Sequence, residues 1–128
     1  AHIEAEIRAL LDAGMDLVLC TGGMSVDPDD RTPAAIRAVA TDVMTYGAPI
    51  LPGAMFLLAY EERDGRTVPI LGLPGCVMYA PATVLDMYLP RLIAGERIDR
   101  AAIRKKGVGG LCLNCDVCHY PRCTFGRS

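Results

Sequence analysis

Two turns in this chain carry residue types that could do chemistry together. The first is Thr21-Gly22-Gly23-Met24-Ser25, followed by Asp27, Asp29 and Asp30. Adjacent glycines let the backbone turn tightly and bring its N–H groups close to an anion, and Ser25 adds a hydroxyl. Three carboxylates within four residues suit phosphate chemistry chiefly through a hard cation that bridges both. The plainer reading is that Asp29 and Asp30 favour the positive end of the helix beginning at Pro33. The second turn is Leu73-Pro74-Gly75-Cys76, between a strand and a helix. Unsatisfied N–H groups at a helix N-terminus attract anions, so Pro74, Gly75 and Cys76 join Thr21, Gly22, Gly23, Met24 and Ser25 as candidate ligand contacts. A helix N-terminus also lowers a thiol pKa, which is expected of Cys76. Cys20, in an apolar run, reads as a small core residue.

A third chemical stretch lies at the C-terminus, where Cys112, Cys115, Cys118 and Cys123 form C-x2-C-x2-C-x4-C. Four thiols so close in sequence point to a metal or a cluster. The three cysteines at successive x2 spacing are similar to the cluster-binding run of bacterial ferredoxins, although the fourth spacing and the proline position differ. Zinc is the alternative to an iron–sulfur cluster, with His119 able to replace one thiolate. A pair of disulfides is the structural alternative, disfavoured in a reducing compartment.

Several elements must position these groups. Ile3, Ile7, Leu10 and Leu11 make the apolar stripe of a helix over residues 2–13, ended by Gly14. Met15–Cys20 is expected as a strand covered on both faces, because its apolar run does not alternate. Thr32-Pro33 reads as an N-cap and first helical residue, opening a helix to about Tyr46. Met55–Glu61 and Thr67–Gly72 read as two strands joined by Asp64-Gly65, a hairpin signal. Cys76–Leu89 reads as a helix with Pro81 in its first turn, and Asp99 caps a short helix to Lys106. Met15, Met55, Met78 and Met87 are expected in the core. From Gly107 the composition changes to glycine and cysteine, so residues 1–106 are expected to form one α/β unit and 107–128 an appended cysteine-rich tail.

The Thr21-Gly22-Gly23 turn, the following Asp30, Thr32 and Pro33, and the later Gly72-Leu73-Pro74-Gly75 together resemble the molybdopterin-binding domain of molybdenum-cofactor biosynthesis proteins. That family includes molybdopterin adenylyltransferases, molybdenum-inserting enzymes and gephyrin. The likeness is strongest to a subgroup, described only as molybdopterin-binding proteins, that combines GGMSVDPDDRTP, PGAMF and GLPGC. The resemblance implies a three-layer α/β/α sandwich with a mainly parallel sheet, and a pterin ligand bearing a terminal phosphate. It implies that Asp30 helps place Mg²⁺ and the reacting groups. It also implies oligomers, and contacts with molybdoenzymes or other cofactor-biosynthesis proteins. Where the family's turn usually continues with Asn, this chain has Cys76. Because it starts on a helix pattern without Met, the chain is expected to lack the family's opening strand.

Composition narrows the function classes. The chain has 128 residues, 52% of them hydrophobic, which suits one globular unit with a modest core. A net charge of −2 without a long basic run argues against nucleic acid as a partner. No apolar run approaches the ~20 residues of a membrane span, and a cytoplasmic setting is expected. Within these limits the family resemblance implies one of two functions: a module that binds molybdopterin or a molybdenum-cofactor intermediate, or a Mg²⁺-dependent nucleotidyl or molybdate transferase acting on it.

Overall fold

The computed structural model describes residues 2–24, 31–107 and 109–127. In chain order its elements are α1 (His2–Asp12), β1 (Val18–Thr21), α2 (Thr32–Val39), β2 (Asp42–Tyr46), β3 (Leu57–Arg63), β4 (Arg66–Leu73), α3 (Val84–Ile93) and α4 (Arg100–Arg104). The strands form one sheet in the order β1-β4-β3-β2. β1 runs parallel to β4, whereas β4 with β3 and β3 with β2 are antiparallel. The sheet is therefore mixed, where a mainly parallel one was expected.

The sheet buries both faces. Successive side chains on a strand point to opposite sides, so β3 sends Leu57 and Ala59 one way and Leu58 and Tyr60 the other. The first pair joins Ile7 and Leu11 of α1 with Ile36 and Val39 of α2. The second pair joins Tyr88 and Leu92 of α3 with Ile98, Ile103 and Phe125. Two-sided burial explains why β3 and β4 carry unbroken apolar runs. Burying one such leucine is worth roughly 1.5–3 kcal/mol.

Three expected elements differ from those observed. α2 ends at Val39, where Ala40 turns extended at ψ 141°. Asp42–Tyr46 then pairs with β3 as an edge strand with an irregularity between Val43 and Thr45. The helix expected to reach Tyr46 is thus a short helix and a strand, because pairing with β3 outweighs a continuing helical period. The helix expected over Cys76–Leu89 is a single 3-10 turn, Gly75–Met78, followed by α3. Thr83 starts α3 with a capping box: Leu85 N–H donates to its hydroxyl oxygen (3.2 Å) and Thr83 N–H donates to Asp86 Oδ2 (2.7 Å). Thr32 is the first helical residue of α2, not its cap, and its hydroxyl is used elsewhere. The first strand begins at Val18, leaving Met15 exposed, and Met78 is exposed on its turn; Met87 lies in the core as expected.

Asp99 caps α4 as expected, its carboxylate accepting from Ala102 N–H at 2.8 Å. No helix among the described residues is long and apolar enough to cross a membrane.

Candidate functional site

The parallel pairing of β1 with β4 sets the site. Thr21, the last residue of β1, lies opposite Leu73, the last of β4. The turns that follow, Gly22-Gly23 and Pro74-Gly75, therefore emerge side by side at the carboxyl ends of two neighbouring strands, where open α/β sheets bind ligands. They line one cleft of about 260 Å³ with Met24, Met55 and Leu73.

Local chemistry holds the first turn. Gly22 and Gly23 both have positive φ (80° and 67°), a conformation that L side chains rarely adopt. The Thr32 hydroxyl donates to the Gly22 carbonyl at 2.8 Å, tying the turn to the start of α2. A Cβ on Gly23 would stand 2.6 Å from Thr32 Oγ1, so glycine is required for space as well as for φ. Met24 is fixed at two points. Its carbonyl accepts from Tyr46 Oη at 2.9 Å. Its side chain lies against Gly72, where a Cβ would come within 2.5 Å of both Sδ and Cε.

The remaining predicted contacts divide. Thr21 is exposed at the strand end. Ser25, Asp27, Asp29 and Asp30 lie outside the described residues. Cys76 sits in the 3-10 turn and lines a neighbouring groove of about 500 Å³ with Leu51, Gly53, Tyr79, Cys112 and Asn114. Met55 and Pro74 line both spaces, so groove and cleft share a wall. Burial raises the Cys76 thiol above its ordinary value, with a smaller lowering from a local backbone hydrogen bond. That reverses the expected lowering: one 3-10 turn stands where a longer helix was expected, and desolvation wins. Burial likewise pushes Cys20 up to about 11, in keeping with a core thiol. Met55, expected only as core, and Leu73, expected in the second turn but not as a ligand contact, also line the cleft.

The cysteine segment docks on the same body. Leu51 N–H donates to Gly110 O at 2.7 Å and Cys112 N–H to Leu51 O at 2.8 Å, a short parallel bridge. Phe125 is buried in the core beside Tyr120, ring centroids 6.0 Å apart, and Tyr120 Oη donates to Asp86 O at 3.2 Å. Lys106 Nζ donates to Gly126 O at 2.7 Å. Cys112, Cys115, Cys118 and Cys123 line one small cavity of about 120 Å³ with His119 and Arg122. All four are free thiols, Cys115 and Cys118 exposed, Cys112 and Cys123 half-buried. Among the described residues, no three or more His, Cys, Asp or Glu side chains are gathered tightly enough to hold a metal ion.

A family model described as a probable molybdopterin binding domain matches residues 1–94, which include both glycine turns and end before α4 and the cysteine segment. No curated protein matches the chain.

Proposed function

The chain belongs to the molybdopterin-binding domain family, and from that premise we propose that the cleft between its two glycine turns binds molybdopterin or a molybdenum-cofactor intermediate. Family membership places the chain in molybdenum-cofactor biosynthesis. The observation that carries the finer reading is that Gly22-Gly23 and Pro74-Gly75 line one cleft. Backbone donors at the two turns suit a terminal phosphate. The thioether side chains of Met24 and Met55 suit the flat face of a fused ring. The chain works as a binding module within a three-layer α/β/α family that forms homo-oligomers. It hands the pterin on to cofactor-biosynthesis proteins or molybdoenzymes.

A second reading is a Mg²⁺-dependent nucleotidyl or molybdate transferase in which Asp30 helps hold the cation, aided by Asp27 or Asp29. It is favoured by one contact: Thr32, two residues beyond Asp30, is tied to Gly22.

The test is an anaerobic titration of the 128-residue chain with molybdopterin, followed by pterin fluorescence. Gly75 lines the cleft and a Cβ there meets nothing within 4 Å, so Gly75→Val adds bulk at the cleft wall without a clash. Affinity is expected to fall at least about 10-fold, or ~1.4 kcal/mol. Absence of binding by the folded chain, or equal affinity in Gly75→Val, overturns the proposal. With ATP and Mg²⁺ added, a product that disappears in Asp30→Asn while binding persists selects the transferase.

A further inference from the structure

We propose that Cys112, Cys115, Cys118 and Cys123 form one four-thiolate centre for a thiophilic metal, either a single tetrahedral ion or a small iron–sulfur cluster. Four observations converge on it. The four thiols, distant from one another in their exposure, line a single cavity. All four cysteines lie beyond the family-matched residues 1–94, and the cavity shares no lining residue with the pterin cleft. The first C-x2-C turn is already bent around its sulfur: Asn114 holds a left-handed conformation, φ 54°, and its N–H points to Cys112 Sγ at 3.4 Å. Finally, Arg122 lines the same cavity and supplies positive charge.

The segment is held at both ends while its middle stays open. Gly110–Cys112 is pinned to Leu51, and Phe125 with Gly126 is pinned in the core and to Gly109 and Lys106. Between these anchors, Cys115 and Cys118 are exposed and close to the half-buried pair without being gathered on a common point. Metal binding draws them in. Each thiol gives its proton to solvent as its metal–sulfur bond forms, so four thiolates around a divalent ion leave a net charge of −2, partly offset by Arg122 and the backbone donors. Loading also stiffens the groove beside the pterin cleft, because Cys112 and Asn114 line that groove as well as the thiol cavity.

The centre is tested without any pterin. Air-free chain is titrated with Co²⁺, and in a separate arm incubated with ferrous iron and sulfide. Metal and sulfide are then counted, and absorption is recorded. One tetrahedral cobalt with sulfur-to-metal charge transfer, or a sulfide-containing cluster with visible absorption, supports the proposal and names the occupant. Cys115→Ser and Cys118→Ser are expected to weaken metal binding by at least about 10-fold, the loss typical of even an outer-shell partner. Cys20→Ala and His119→Ala leave metal content unchanged. Loading is also expected to slow tryptic cleavage after Arg122, a readout independent of colour. Folded wild-type chain that takes up neither metal, equal uptake by the serine variants, or loss of metal in His119→Ala overturns the four-thiolate assignment.

Discussion

Gly23 and Thr32 should be energetically coupled, and the coupling can be worked out from their contact. Gly23→Ala forces a left-handed alanine, costing about 1–2 kcal/mol. It also brings a methyl to 2.6 Å from Thr32 Oγ1, an overpacking of about 1–3 kcal/mol. Thr32→Ala removes the hydrogen bond to Gly22 O and a buried methyl, about 1–2 kcal/mol together. The singles therefore sum to about 3–7 kcal/mol. In the double variant the obstructing oxygen is gone and Thr32 Cβ stands 3.5 Å away, an ordinary contact. Only the strain and the lost bond remain, about 2–4 kcal/mol. Urea unfolding followed by circular dichroism should show the double variant more stable than additivity predicts by at least about 1 kcal/mol. Gly23→Ala with Thr32→Val is the control, since valine keeps a methyl where Oγ1 stood and recovers nothing. Additivity within about 0.5 kcal/mol, or equal recovery in the valine control, would refute the reasoning.

Two buried tyrosines should respond oppositely to loss of the hydroxyl. Tyr60 Oη accepts from Ile98 N–H at 2.8 Å and donates to Ile98 O at 3.0 Å, so Tyr60→Phe strands two buried backbone groups and should cost about 2–4 kcal/mol in thermal or urea unfolding. The Tyr88 hydroxyl is buried without a partner among the described residues; Tyr88→Phe should be neutral or stabilising by up to ~1 kcal/mol, with Phe56–Tyr88 stacking retained. The Cys20 thiol, raised from 9.0 to about 11 by burial, contributes stability that is complete below pH 9 and is lost as the pH rises through 11. Cys20→Ala should flatten the decline in unfolding free energy across that window. At pH 8, alkylation mapped by mass spectrometry should reach exposed Cys115 and Cys118 well before Cys20.

The parts of the fold legible in sequence were those with local causes. Asp64-Gly65 announces a two-residue hairpin, and both residues adopt the positive φ that such a turn requires (50° and 77°). Asp99 caps the helix it precedes. Of the stripe Ile3, Ile7, Leu10 and Leu11, Ile7 and Leu11 face inward while Ile3 is half-buried and Leu10 exposed. What failed depended on distant partners. Val39, Ala40 and Val43 continue a helical spacing, yet Asp42–Tyr46 is claimed by β3. Nothing local says that Cys76 lies in a single 3-10 turn, although Thr83 with Asp86 three residues later was a readable signal for the true start of α3. The cleft was legible in its two glycine turns, because both follow strands. That Met55 and Leu73 line it became visible only when β1 and β4 were brought into register.

The parallel strand pairing of β1 with β4 also bears on the order of assembly. β3 and β4 need only their two-residue turn to meet, whereas Val18 must find Ile70 across most of the intervening chain. Closing that long loop costs entropy that the hairpin does not face, so β1 joins late and leaves early. The cleft exists only after that final docking. A molecule that touches both glycine turns would act as a bolt across the last seam to close. Its kinetic signature would be slower escape from the folded state, with little change in the rate of reaching it.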